Sequence, residues 1–157
     1  MVDRRPRLVL VCGLPGAGKT TVARTLEYEL SAVRLCPDEW LTELGFDLFD
    51  GAARDRVEQS LWRHAQALLA AGVVVILENG FWERSERDEK RLRARGLGAD
   101  VELRYLDVPM EELERRIALR NQEPGSVVLT NELLRSSQSQ FEAPTQAELD
   151  LFDPPLA

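Results

Sequence analysis

Only two cysteines and a single histidine occur in the 157 residues. Cys12 and Cys36 each close a short apolar run. Such positions suit buried thiols better than a disulfide, and no metal-ligand spacing involves them. His64 falls in the middle of an amphipathic stretch, which makes it a structural or surface residue. A basic excess is also missing. Asp and Glu number 27 against 20 Lys and Arg, a net charge of −7, so the sequence advertises no face for nucleic acid. No apolar run approaches membrane-spanning length, and Asp3-Arg4-Arg5-Pro6-Arg7 lacks the pattern of a signal peptide. The expectation is a cytoplasmic protein that engages no membrane. No repeat, low-complexity tract or linker divides the chain. With 44% hydrophobic residues there is enough apolar material for one core, hence a single domain over residues 1–157.

What the sequence does contain is concentrated near its start. Leu8-Val9-Leu10-Val11-Cys12 reads as a buried strand. It runs into Gly13-Leu14-Pro15-Gly16-Ala17-Gly18-Lys19-Thr20, and Thr21 opens a stretch in which Val22 and Leu26 keep helical spacing. Strand, glycine-rich loop and helix in that order make a phosphate-binding loop. Glycines let backbone N–H groups converge on an anion, and the helix N-terminus adds partial positive charge. Lys19 would reach the β- and γ-phosphates, and the Thr20 hydroxyl would ligate Mg²⁺. A nucleoside triphosphate is the implied ligand.

Further along, Ala32–Cys36 predicts a second strand ended by Pro37, followed by a loop or short helix at Asp38-Glu39-Trp40-Leu41. A long helix is expected from Ala52 to Ala71, with Val57, Leu61, Ala65 and Leu68 on its stripe. Val73–Leu77 lacks alternation and should be a strand covered on both faces. Ser85 and Asp88 have capping-box spacing for a helix to about Arg95. Val101–Leu106 reads as a fourth strand. Pro109 suits a first helical turn, with Met110, Leu113 and Ile117 on the buried face. Asn121–Thr130 should be a loop and Asn131–Phe141 a helix, and Thr145 with Glu148 repeats the capping-box spacing. Strands alternating with helices predict a parallel sheet of four or five strands in a three-layer α/β fold.

Several side chains then become candidates for chemistry. Glu78 ends the third strand, where a metal-associated carboxylate would sit. Asp38 follows the second strand at the same sheet edge, and it suits either a general base or a helix N-cap. Its neighbour Glu39 is a weaker choice. Arg116 and Arg120 share a helix face before a flexible segment and could close over phosphates, or could simply be a solvated face pairing with nearby glutamates. Arg84 and Arg87 follow the third strand and could contact substrate. Trp40, Phe46, Phe49, Phe81 and Trp82 lie outside the periodic stripes, as pocket walls or as core.

With these residues assembled, the sequence resembles the zeta-toxin/polynucleotide-kinase-like branch of the P-loop kinases, the group often labelled AAA-domain ATP-binding proteins. The likeness rests on Gly13–Thr20, Cys36-Pro37-Asp38-Glu39-Trp40-Leu41, Leu77-Glu78-Asn79-Gly80-Phe81-Trp82 with Arg84 and Arg87, Tyr105-Leu106-Asp107-Val108-Pro109, Arg116 to Asn121, and Phe141–Thr145. It implies a three-layer αβα P-loop NTPase fold with a helical lid around 115–140, ATP and Mg²⁺ as cofactors, and phosphorylation of a hydroxyl. Asp38 is the implied base, acting with Lys19 and Arg120, while Arg116 and Arg120 are the implied lid arginines. Thr20 and Glu78 are placed at the metal. Trp40, Phe81, Trp82, Arg84 and Arg87 are placed around the acceptor. Glu78 is a departure, since such proteins usually carry Leu-Asp there. The expected acceptor is a small molecule such as an antibiotic, a sugar or a nucleoside. A nucleotide-binding sensor and a 5′-hydroxyl polynucleotide kinase are the alternatives.

Overall fold

A computed structural model describes residues 5–156. Its centre is β1 (Arg7–Cys12), whose residues are all buried. Leu8, Leu10 and Cys12 turn to one face of the sheet, and Val9 and Val11 turn to the other. A strand covered on both faces needs apolar residues at every position, which explains the run without alternation. β3 (Val74–Gly80) and β4 (Asp100–Tyr105) flank β1, and β2 (Val33–Leu35) lies outside β3. Every pairing is parallel, in the order β2-β3-β1-β4. The four strands meet the lower bound of the sequence expectation.

α1 (Lys19–Leu30) covers one face through Ala23, Leu26 and Leu30 against Val9, Val11 and Ile76. α3 (Gly51–Ala70) and α4 (Arg84–Gly96) cover the other, where Val57, Leu61 and Ala94 join Leu8, Leu77 and Val101. The stripe on α3 continues to Leu69, while Leu68 is only half-buried. α2 (Pro37–Glu43) resolves the ambiguous segment after β2 into a helix. Pro37 occupies its first turn, where the missing N–H costs nothing. Its N-cap is Cys36, so Asp38 stands inside the first turn and is not the cap.

α5 (Met110–Asn121), α6 (Asn131–Gln140) and the short α7 (Gln146–Leu149) complete the chain. Leu113, Ile117 and Leu134 enclose Ala17 of the glycine-rich loop, so α5 and α6 pack directly on it. One capping expectation holds and the other does not. Thr145 accepts from the Glu148 N–H at 3.2 Å. Ser85, in contrast, lies within α4, whose N-cap is Glu83, and Asp88 pairs with Arg84 and Arg91. The Phe81-Trp82 turn is short, which starts the helix earlier than the capping pattern suggests. Among the described residues, no helix is long and apolar enough to cross a membrane.

Candidate active site

The carboxyl ends of β1, β2 and β3 converge on the glycine-rich loop, as parallel sheets with helices on both faces require. The loop is anchored by the Gly13 N–H, which donates to the Gly80 carbonyl at 3.1 Å. Gly18 caps α1 with φ +93°, and Gly16 has φ +82° with an Ile117 carbon 3.2 Å from where a Cβ would stand. A side chain at either position would be strained, and at Gly16 it would also crowd α5. Leu14 and Pro15 are half-buried, Ala17 is buried, and Thr20 and Thr21 are exposed on the first turn of α1. The first N–H groups of that helix have no partner within it, which makes the loop an anion cradle.

Lys19 Nζ donates to the carbonyls of Gly13 and Leu14 at 3.1 and 3.0 Å, drawing the ammonium across the loop. Burial lowers its pKa, while the Glu78 and Asp38 carboxylates act in the opposite sense. Both acids therefore lie within electrostatic reach of the lysine that faces the cradle. Thr20 Oγ1 donates to Glu78 Oε1, and the Glu78 side chain is only 4% exposed. The donor set of hydroxyl and carboxylate suits a hard cation bound mainly by phosphate and water. Among the described residues, no group of three or more His, Cys, Asp and Glu stands ready to hold a metal unaided. Mg²⁺ held jointly with a nucleotide fits this arrangement.

Asp38 is 60% exposed, and its Oδ1 accepts from Arg54 Nη2 at 2.7 Å. Arg54 comes from the first turns of α3, so the pair ties α2 to α3. Glu39 points the other way, where it accepts from Arg34 and Arg24. Arg34 holds its carboxyl below the usual range. Asn79 Oδ1 is buried beside Glu78 and accepts no hydrogen bond among the described residues. Strand alternation sends it to the opposite face of the sheet.

The arginines and aromatics separate into distinct environments. Arg116 Nη1 donates to the Gly16 carbonyl at 3.3 Å, placing a guanidinium against the loop, while Nε holds Glu112 at 2.9 Å. Arg120 is exposed on the last turn of α5. Arg84 is exposed and pairs with Asp88. Arg87 is corrected from a substrate contact to a structural residue. It is fully buried, and its fork binds Glu148 at 2.7 and 3.0 Å. Its Nη1 also donates to the Phe81 carbonyl. Phe81 is corrected likewise: its ring is buried in the core, at φ +50°, a conformation rare for a bulky residue. Trp82 is half-buried, with its indole nitrogen beside Gly80.

Trp40 does not stand beside Asp38. Two residues apart on one helix, their side chains point about 200° from each other. Trp40 instead lines an apolar cleft of ≈ 380 Å³ with Leu44, Phe46, Val57, Leu61 and His64. Phe49 is exposed. Both cysteines are buried and free, and burial pushes the Cys12 thiol up to about 12 and that of Cys36 to about 11.

Three participants escaped the sequence reading. Arg34 was hidden in a short strand, where a charge between apolar neighbours signals that it has partners. Arg54 and Glu148 gave no such signal, because charged residues on helices are ordinarily solvated.

The profile of the family described as AAA domain matches residues 8–144. A shikimate kinase from Corynebacterium glutamicum is 32% identical over 123 residues, covering 74% of this chain and 68% of that protein. Among solved structures, a sugar kinase from Janibacter sp. HTCC2649 gives a TM-score of 0.66 at 27% identity, covering 91% of this chain and 82% of its own. A chain of the Pnkp1/Rnl/Hen1 RNA repair complex gives 0.72 at 24% identity, covering 96% of this chain. This protein spans about half of that chain's length, 47%, and the likeness there is one of fold. By its matched length, its phosphate loop and its strand order, the chain belongs to the AAA domain family as a P-loop kinase-like protein.

Proposed function

We propose that the protein is an ATP- and Mg²⁺-dependent kinase that transfers the γ-phosphoryl group to a hydroxyl of a small molecule. The observation that carries this reading is the placement of Asp38. It lies at the sheet edge that holds Lys19 and Glu78, close enough to act on the Lys19 ammonium. A switch protein needs the phosphate loop but has no use for a second, exposed carboxylate there, whereas a kinase needs one to accept the hydroxyl proton.

In this reading the α1 N-terminus and Lys19 hold the phosphates, and Thr20 and Glu78 hold the cation. Mg²⁺ supplies charge neutralisation across the β- and γ-phosphates. Arg54 fixes Asp38 Oδ1, leaving Oδ2 to take the proton as the acceptor oxygen bonds to phosphorus and the bond to ADP breaks. Residues 115–140 serve as the lid over the loop, with Arg116 against the Gly16 carbonyl and Arg120 one turn further along α5. The kinases of small molecules among the relatives support a small acceptor, and the net charge of −7 argues against a polynucleotide.

The sensor reading has one observation in its favour: Glu78 and Asp38 are both occupied, by Arg34 and Arg54. ADP release measured across a panel of hydroxyl compounds separates the two. A kinase shows release that depends on one acceptor class. Asp38→Asn should then lose about a hundredfold or more in transfer while keeping the ATP-induced rise in melting temperature, and Lys19→Ala should lose that rise. No acceptor dependence, or full transfer by Asp38→Asn, would overturn the proposal.

A further inference from the structure

The parallel register of β2 on β3 aligns Arg34 with Ile76, and strand alternation puts Glu78 on that same face of the sheet. The Arg34 side chain therefore runs along the face covered by α1 toward the carboxyl edge. It is only 9% exposed. Its fork joins three elements there. Nη1 donates to Glu78 Oε2 at 2.9 Å, Nη2 donates to both Glu39 oxygens at 2.8 and 2.7 Å, and Nε lies 3.4 Å from Glu27 Oε2. The other Glu78 oxygen, Oε1, takes the Thr20 hydroxyl. The two oxygens of one nearly buried carboxylate thus have separate duties.

We propose that Arg34 is the positioning residue for the cation site: by holding Oε2 it fixes Glu78 so that Oε1 alone is presented, beside Thr20, to Mg²⁺ or to a water of its shell. This rests on the nucleotide reading given above. A glutamate carries one more methylene than an aspartate, and an untethered Glu78 would have an additional rotatable bond to order before it could meet a cation. Arg34 removes that freedom. Its planar fork suits this better than an ammonium, because it engages Glu78 and Glu39 at once from a fixed geometry. Groups behind a metal ligand commonly change metal affinity by about ten- to a hundredfold when removed. Through Glu39, adjacent to Asp38, the same guanidinium also sets the start of α2 relative to the cation side.

The test is binding of Mn²⁺, as a paramagnetic stand-in for Mg²⁺, to the protein·ADP complex, read by electron paramagnetic resonance without any acceptor or turnover. Arg34→Gln should weaken Mn²⁺ binding by about tenfold or more, with metal-free ADP affinity unchanged and circular dichroism native. Arg34→Lys should recover part of the loss. In a Glu78→Ala background, where the carboxylate is gone, Arg34→Gln should have no further effect on Mn²⁺ affinity. Unchanged Mn²⁺ affinity in Arg34→Gln would overturn the assignment, as would an equal loss with and without Glu78. Should Arg34→Gln fail to fold, Arg34→Lys decides: parental Mn²⁺ affinity there overturns the need for the fork. Metal-free ADP affinity of the parent checks the nucleotide reading separately, and its absence would sink both.

Discussion

Glu58 shows how a single side chain records its surroundings. It sits on α3, 25% exposed and 3.8 Å from Arg54. Burial, reinforced by the Glu86 carboxylate, pushes its pKa from 4.5 up to about 7, with Arg54 opposing. A raised carboxyl favours the folded state when protonated. That contribution is complete below the unfolded value near 4.5 and is lost as pH rises through 7. Glu58→Gln, which cannot ionise, should therefore match the parent at low pH and exceed it at pH 8 by on the order of 2 kcal/mol. Melting curves from pH 4.5 to 8.5 check this. A stabilisation that does not vary with pH would mean that packing, and not charge, sets the effect. Arg116 and Asp38 make a related point, since neither has value apart from its neighbours: the first is defined by the Gly16 carbonyl and the second by Arg54.

Among the elements, α5 decides most about the proposed transfer. Its buried face, Leu113 and Ile117, is committed to the glycine-rich loop, so the helix cannot shift without disturbing Gly16 and Ala17. Its exposed face carries a closely paired Glu112 with Arg115 and Arg116, and those two arginines hold the Glu112 carboxyl down to about 2. Asn121 then closes the following segment by bonding both the N–H and the carbonyl of Leu129, at 2.9 and 2.7 Å. Arg120 is the exposed cation between this buried anchor and the closed segment. Exposed ion pairs contribute little to folding. Arg120→Ala should leave the melting temperature of the nucleotide-free protein in place while lowering transfer by about tenfold to a hundredfold. Parental turnover in that variant would return Arg120 to the role of a solvated helix residue.

At the scale of the whole molecule, the Arg87–Glu148 pair ties the last helix to the middle of the chain. Both side chains are essentially excluded from water, at 0% and 1% exposure. The same guanidinium holds the Phe81 carbonyl, and the Cys12 thiol donates to that oxygen at 3.4 Å. The left-handed Phe81 thus depends on α7 as well as on its own strand. Removing one partner strands a buried charge, so Glu148→Ala should cost about 3–5 kcal/mol in denaturant unfolding. The apolar double variant Arg87→Met/Glu148→Leu should regain much of that. A loss below about 1 kcal/mol for Glu148→Ala would show that water reaches the pair.

Most of the architecture was legible because it depends on local pattern. The unbroken apolar runs at Leu8–Cys12 and Val73–Leu77 predicted strands covered on both faces; the first is wholly buried in β1, and β3 takes up the second at Val74 but runs past Leu77 and Glu78 to Gly80. The phosphate loop was legible for the same reason: residues 13–20 act largely through their own backbone. One reading failed where a distant partner decides. Arg87 and Arg84 look alike in sequence, yet one is buried against Glu148, 61 residues away, and the other is exposed. Trp40 and Asp38 are near neighbours in the chain, but helix α2 turns them to different flanks. The strands and the glycine-rich loop follow from side-chain period and glycine placement, which are local. Which arginine serves which carboxylate is set by the fold, because a charge takes its role from whatever is brought within about 4 Å of it.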